Sequence, residues 1–524
     1  MRWITDSNRK WWICGTMTLS LSMILIDQTV VSVALPTIQR ELDFSQSALQ
    51  WVVNAYLLAI AAFVAVGGRL GDIFGNDRTF KLGAAAFVVF SAVCGLADSE
   101  AVLLGARALQ GIGAALMIPP TGALVLNAFE PQERGKAMGI YAGVSMIFLA
   151  LGPLVGGLLT QDISWRAVFW INVPIGIVML VVAHVTVPKA PRLPDARLDW
   201  PGMATIVPGL TLLVLALMQS QSWGWGSIKT IGCLAVGAVL LVVFVLIELR
   251  HEQPLIQLRL FRSHNFSCDG FVLFMVEFAL IGLTVFGAIW IQDVLDFSPI
   301  QSGLSLLPLT IPLLFVAPLI GRVYDSIGPR LIVGAGCLLV AAALVWDAAV
   351  LSKLSYPWLI PGYLAMGVGI GMVMSPTNTD ALNAAPPKDR GEASGVIQTL
   401  RQVGGAVGLA VMGTIVANVQ SDQIQSFIAA NPSQASQMEK VLAQPGGTST
   451  AAQAGVSSSV LDAVHDAVTT ATSTSYYVAG GALALAGVVA FLVLRHVRAT
   501  DAPAPVHTAS IPAPRGAHAR VSQA

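Results

Sequence analysis

Charge is sparse in this chain. Only 11% of its 524 residues are Asp, Glu, Lys or Arg, and 29 basic residues balance 29 acidic ones to a formal net charge of zero. Soluble domains carry about 25% charged residues, so this chain could not cover a water-facing surface of its length. A neutral chain also lacks the basic face of a nucleic-acid binder. The five cysteines, Cys14, Cys94, Cys233, Cys268 and Cys337, are scattered and form no C-x-x-C pair. That argues against a disulfide scaffold and a zinc or redox site, and no metal or cofactor is expected. There is no Walker loop for ATP. His251-Glu252 lacks the second histidine of a zinc protease, because Leu255 stands there, and Gly111-x-Gly113 lacks the third glycine of a dinucleotide loop. An enzyme is therefore not expected. The first apolar run is too long for a cleavable signal peptide and has no small-residue cleavage site.

Apolar residues are abundant: 55% of the chain, with a mean hydropathy of +0.72. A bilayer-crossing helix needs about 20 such residues in a row. Fourteen runs qualify, near 11–36, 49–68, 80–98, 101–127, 137–160, 167–187, 201–221, 229–249, 266–292, 303–321, 331–350, 358–380, 395–418 and 476–495. With the N-terminus inside, 22 Lys and Arg fall on inner segments and 5 on outer ones. This bias predicts that both termini are cytoplasmic in a multi-pass cell-membrane protein.

The chain also repeats itself. Pro120-Thr121, Leu126-Asn127-Ala128, Pro131 and Arg134-Gly135 recur 256 residues later as Pro376-Thr377, Leu382-Asn383-Ala384, Pro387 and Arg390-Gly391. Gly68-Arg69, Asp72 and Gly75 recur 253 residues later as Gly321-Arg322, Asp325 and Gly328. Spans 1–6 and 9–14 are thus copies, with spans 7 and 8 an insert so apolar that it is expected to face lipid. The predicted division is a six-helix bundle over 1–187, the two-helix insert and a cytoplasmic linker over 188–265, and a second six-helix bundle over 266–498. That second bundle carries an external loop over 419–475, and residues 499–524 form a disordered cytoplasmic tail. In the loop, Val460, Leu461, Val464 and Val468 recur at helical spacing, which suggests a short amphipathic helix on the membrane.

Several motifs on this layout resemble one transporter family. Asp27-Gln28-Thr29-Val30-Val31-Ser32-Val33-Ala34-Leu35-Pro36 resembles the first-span signature of drug:proton antiporters. Gly68-Arg69-Leu70-Gly71-Asp72-Ile73-Phe74-Gly75 resembles the inner loop of the major facilitator superfamily. Arg107-Ala108-Leu109-Gln110-Gly111-Ile112-Gly113 is similar to the span-4 motif. Gly143 with Gly152-Pro153-Leu154-Val155-Gly156-Gly157 is similar to the span-5 antiporter motif. Trp165-Arg166 with Phe169-Trp170-Ile171-Asn172-Val173-Pro174-Ile175-Gly176 resembles the fourteen-span exporters of the EmrB/QacA type. The resemblance covers essentially the whole chain. It implies an all-α major facilitator fold, two six-helix bundles plus two inserted helices, that exports lipophilic, often cationic drugs or antibiotics in exchange for protons. Its expected partners are those small molecules, protons and the lipid bilayer, for a protein acting as a monomer. One departure is that Ile73, Asn76 and Asp77 replace the usual basic residues of the inner loop, leaving Arg78. Two other readings stay open: an exporter of one self-made metabolite or antibiotic, and a transporter-fold sensor that moves nothing.

Ionisable residues inside a bilayer are functional candidates by default. Asp27 in span 1 is the expected proton carrier, because an apolar cavity disfavours a bare carboxylate. It can take a proton or a cationic substrate, but not comfortably both. Arg107 stays charged at any relevant pH, and the resemblance gives it the coupling role beside Asp27. Glu277, in the repeat counterpart of span 1, is expected to select cations, with no basic partner identifiable. Asn54, Tyr56, Gln110, Phe274 and Phe278 are candidates for the substrate cavity with Asp27 and Glu277. Arg401 is read as structural, Asp269 as a solvated end residue, and Asp347 and Asp380 as wet span ends. For gating, the candidates are Gly68, Asp72, Gly75, Arg78 and Asp325 in the inner turns, where a carboxylate can cap a neighbouring helix. Gly152, Pro153, Gly156 and Gly157 join them in span 5, where glycines allow close approach and proline bends the helix.

Overall fold

The computed structural model describes residues 5, 8–42, 44, 46–189, 198–251, 253–386, 389–443 and 456–495. The predicted tail over 499–524 lies outside them, as do the side chains of Pro153 and Asp325. All regular structure among the described residues is helical. We number the long helices α1 Arg9–Leu42, α2 Gln46–Phe74, α3 Asn76–Leu96, α4 Glu100–Ala128, α5 Arg134–Asp162, α6 Asn172–Thr186, α7 Trp200–Trp223, α8 Ile228–Glu248, α9 His264–Leu295, α10 Leu307–Ile327, α11 Pro329–Val350, α12 Ile360–Asn383, α13 Arg390–Ala430 and α14 Ser458–Val493. Thirteen of the described segments are long and apolar enough to cross a membrane. The fourteenth, α5, passes as two pieces bent by 44° between Leu149 and Leu154, around Pro153. A proline there removes an N–H and crowds the carbonyl four residues back. The same effect separates Ala167–Trp170 from α6, since Pro174 follows Trp170 by four residues.

The repeat appears as matched packing. In the first half α2 and α3 pack on α4, and α1 on α5; in the second, α10 and α11 pack on α12, and α9 on α13. The halves meet along two seams, α2 against α13 and α5 against α10. Each seam joins the second helix of one copy to the fifth of the other. Apolar helices gain little by hiding from lipid, so such seams depend on close backbone approach. The turn before α3 has Gly75 at φ +96°, and the turn before α11 has Gly328 at φ +83°, a region in which L side chains are strained.

Two expectations are corrected. Only one insert helix faces outward as expected: α8 exposes Val236, Val239, Val242 and Leu246. Its neighbour α7 instead covers the α2–α13 seam, burying Val214 and Leu217 against Ala61, Ala406 and Ala410. The described part of the predicted loop, 419–443 and 456–475, is mostly helical. At 1.5 Å per residue a 41-residue helix such as α13 is about 60 Å long, twice the hydrocarbon core. Val460, Leu461, Val464 and Val468 belong to the first turns of α14 rather than to a separate surface helix. No glycine or proline interrupts that helix before Gly480, so its periodicity runs straight into the span. Val460 and Val464 are buried there, as are Ile424 at the end of α13 and Met438 and Val441 on the short helix Ala435–Ala443.

Candidate functional site

Asp27 is fully buried at mid-length in α1, and three side chains donate hydrogen bonds to its carboxylate. Its Oδ2 accepts from Arg107 Nη1 at 2.6 Å. Its Oδ1 accepts from Asn172 Nδ2 at 2.8 Å and Gln110 Nε2 at 3.1 Å. Arg107, also fully buried, donates from Nε to the Val52 carbonyl at 2.9 Å and from Nη1 to Gln110 Oε1 at 2.8 Å. Its guanidinium carbon lies 4.2 Å from the centre of the Tyr56 ring and 5.8 Å from that of Phe169. Nη2 has no acceptor among the described residues. Asn172 donates a second bond to Ser91, whose hydroxyl donates to the Phe169 carbonyl at 2.8 Å.

One carboxylate thus ties together α1, α2, α3, α4 and α6. Taking two charges out of water costs several kcal/mol per ion, which their mutual attraction and the surrounding hydrogen bonds offset, with Arg107 Nη2 the one group left without an acceptor among the described residues. Sequence reasoning named Asp27, Arg107, Tyr56 and Gln110, and the fold gathers all four. It placed Tyr56 and Gln110 on a cavity wall, whereas both are wholly buried inside the charge cluster. It quoted Asn172 within a motif without giving it a role, and it missed Ser91. A buried asparagine two residues before Pro174, at a helix break, was the available signal.

A second, partly exposed charge pair lies in the other half and overturns the expectation that Glu277 has no basic partner. Arg401 on α13 donates to Glu277 on α9 from Nε at 2.7 Å and also from Nη2. Arg401 therefore compensates a charge, although its sequence context gave no hint of one. These side chains retain 16% and 17% exposure, unlike the sealed Asp27 pair. Of the remaining cavity candidates, Asn54 and Phe274 are half-buried, while Phe278 packs into the hydrophobic core. Asp269, Asp347 and Asp380 were expected to be wet and are buried, Asp269 and Asp347 completely. Helix neighbours cover these positions, which hydropathy along one segment cannot reveal.

Of the gating candidates, Gly68 and Asp72 meet the opposite half near the α2–α3 turn. Asp72 Oδ1 accepts the Gly391 N–H at 2.9 Å and Oδ2 accepts the Glu392 N–H at 2.6 Å, so an α2 side chain caps α13 of the opposite half. Behind it Gly68 and Gly391 meet backbone to backbone, with no room for a Cβ on either. Arg69 lies 3.4 Å from Glu392. Gly321 makes the matching backbone contact with Gly135 on the other seam. Two repeat-related bonds cross between the halves: Arg134 Nη1 donates to Asn383 Oδ1 at 3.2 Å, and Arg390 Nη1 donates to Asn127 Oδ1. These four residues were visible as a repeat and missed as a latch. Arg78, expected at the gate, donates to the Phe74 carbonyl on its own turn at 3.2 Å. In α5, Gly152 and Gly156 press against Thr29 and Val30 of α1, one turn from Asp27, and Gly157 faces Ile300 of the other half.

Comparison with known proteins adds three findings. The sequence profile of the Major Facilitator Superfamily matches residues 17–409. The tetracenomycin C resistance and export protein of Streptomyces glaucescens is 35% identical over 92% of this chain and 91% of its own; the puromycin resistance protein pur8 of Streptomyces alboniger is 35% identical over 78% and 82%. Among solved structures, the human organic anion transporter MFSD10 superposes with a TM-score of 0.60 at 16% identity, covering 90% of this chain and 99% of that one.

Proposed function

The chain belongs to the Major Facilitator Superfamily, and on that premise we propose that it is a proton-coupled exporter of lipophilic, often cationic drugs or antibiotics. It works by alternating access in the cell membrane, as a monomer with both termini in the cytoplasm. The observation that carries the reading is the sealed Asp27–Arg107 pair. As a carboxylate, Asp27 can only accept hydrogen bonds, and three N–H groups supply them. A proton on Asp27 removes the charge that holds Arg107 and adds a donor among donors, which weakens its bonds to Arg107, Gln110 and Asn172 and lets the helices they sit on shift. Proton binding and a change in packing are thereby the same event, which is what coupling requires. The α4 and α6 ends of the cluster are anchored in the first half, and Gly152 and Gly156 of α5 transmit a shift of α1 towards the seam with α10.

The partly exposed Glu277–Arg401 pair supports a separate role in substrate choice. A cationic drug competes with Arg401 for Glu277, whereas a neutral drug gains little there. The relatives named above, each described by one antibiotic, favour a second reading of narrower scope: export of one such compound rather than a range. Efflux from inverted membrane vesicles, with a panel of drugs and with a protonophore, tests both. Efflux abolished by the protonophore supports antiport, and efflux indifferent to it overturns the coupling. Activity towards several unrelated compounds rules out the narrow reading.

A further inference from the structure

One buried acid of the second bundle has no part in either charge pair. Asp347 lies on the last turn of α11, fully buried, and neither of its carboxylate oxygens has a hydrogen-bond partner among the described residues. The carboxyl rests on the backbone of α12 at Gly362, where there is no room for a Cβ. The Ser473 hydroxyl of α14 reaches the next residue of α11 and donates to the Ala348 carbonyl at 2.8 Å. The titratable groups that face Asp347 are Tyr363, beside Gly362 on α12, and Tyr476 on α14, both buried and neither a cation. Tyr476 Oη donates to the Leu283 carbonyl of α9 at 3.5 Å. One turn further in, Leu283, Leu344, Met366 and Leu483 line a small apolar cavity. Lys353, the next cation along the chain, is exposed.

The sequence repeat shows what is unusual about this place. Gly83 of α3 packs on Gly113 and Leu116 of α4, and Gly336 of α11 packs on Gly369 and Met372 of α12. These contacts match at the offsets of the repeat, 253 on one helix and 256 on the other. Asp347 therefore stands where Cys94 stands in the first half, and Tyr363 where Arg107 stands. Cys94 adjoins the Asp27 cluster, its Sγ 3.7 Å from Gln110 Oε1. The second half thus carries an acid at the matching place, with a phenol instead of a guanidinium beside it.

We propose that Asp347 is a proton-binding site: it carries a proton in this arrangement and exchanges it through the end of the molecule opposite the latch. A bare carboxylate with neither a hydrogen bond nor a cation in an apolar interior costs far more than a neutral acid. Asp27 keeps its charge because Arg107 and two amides hold it, and Asp347 has no such partner among the described residues. The route for exchange is short. α11 starts at the Gly328 turn, the repeat counterpart of the Gly75 turn near Asp72, so Asp347 lies towards the other end. Ser352, Lys353 and Leu354, just beyond it, are exposed, about 8 Å away at the rise of a helix. With both termini inside, that end faces outside, the side from which an antiporter takes its protons. The role in transport rests on the antiport reading above; the presence of the bound proton does not.

Infrared titration of the purified full-length protein reads the bound proton. The wild type is expected to show, at neutral pH, the C=O stretch of a carboxylic acid without a hydrogen bond. Asp347→Asn should lose that band and Asp27→Asn should keep it; a band undiminished in Asp347→Asn overturns the proposal. Thermal unfolding gives a second readout. The unfolded chain releases an Asp proton above about pH 4, so a folded state that keeps the proton loses stability as the pH rises, and a variant with an amide there does not. The melting temperature of Asp347→Asn relative to the wild type should therefore rise with pH, and a difference that is constant or moves the other way overturns the proposal. Failure of both Asp347→Asn and Asp347→Leu to fold also counts against it, since a place built for a neutral group accepts another neutral group. Counting protons per substrate in proteoliposomes then tests the role in transport: Asp347→Asn should move one proton fewer than the wild type, and an equal count overturns that role. Wild-type efflux that ignores a protonophore would instead sink the antiport reading and leave the infrared result standing.

Discussion

Removing the Asp72 carboxylate should open one end of the molecule without unfolding it. Asp72 accepts two backbone N–H groups from the first turn of α13, and both belong to the opposite half. The bonds therefore exist only while the halves are closed at this end. In the open arrangement the same groups are hydrated, so Asp72→Ala destabilises one state and leaves the other nearly unchanged. Loss of a capping side chain costs about 1 kcal/mol, and loss of a negative charge at a helix N-terminus costs up to about 1 kcal/mol more. A total near 2 kcal/mol shifts a two-state equilibrium about 30-fold, at 1.4 kcal/mol per tenfold. The assay is thiol labelling at Ser394→Cys, with the five native cysteines replaced. Ser394 is buried on α13, and its hydroxyl lies 3.6 Å from where a Cβ on Gly122 of α4 would sit, so only opening exposes it. Labelling by a membrane-permeant reagent should speed up 10- to 100-fold in Asp72→Ala, in proportion to the open population. Asp72→Glu should recover part of the closure, since a carboxylate remains. An unchanged labelling rate in Asp72→Ala, with the protein folded and in the membrane, would refute the reasoning and reduce the cap to a passive contact.

Three further outcomes follow from the same geometry. Asp27→Asn should abolish proton-driven efflux of every substrate and lower thermal stability, because it strands the buried Arg107 charge at a cost of about 3–5 kcal/mol; the double variant with Arg107→Gln should regain stability but not transport, and coupled efflux by Asp27→Asn would end the assignment. Glu277→Gln leaves the Arg401 charge unbalanced, so export of cationic drugs should fall, most for divalent ones, while neutral drugs are spared; equal loss for both kinds in vesicle efflux would assign Glu277 to coupling instead. Gln423→Cys, on the projecting end of α13, should react with an impermeant thiol reagent added outside intact cells, and Gln257→Cys should not; the reverse pattern would overturn the orientation.

Much of the architecture is written locally along the chain. A bilayer-crossing segment must be apolar over its whole length and satisfy its own backbone, so the span count could be read one window at a time. Repetition of Asn127 and Arg134 as Asn383 and Arg390 exposed the two halves in the same way, because copied residues occupy copied positions. Asp27 and Arg107 stood out because charge inside an apolar run is costly wherever it occurs. Which charges meet is a different kind of fact. Glu277 and Arg401 are 124 residues apart and become partners only because α9 packs on α13. Asn172 reaches Asp27 over 145 residues, and Asp72 reaches Gly391 over 319. Asp269, Asp347 and Asp380 look wet at the ends of their own helices, and it is the neighbouring helices that dry them. Sequence settled what each segment can tolerate around it, whereas burial, pairing and the latch depend on distances between segments, which the packing of the two bundles alone decided.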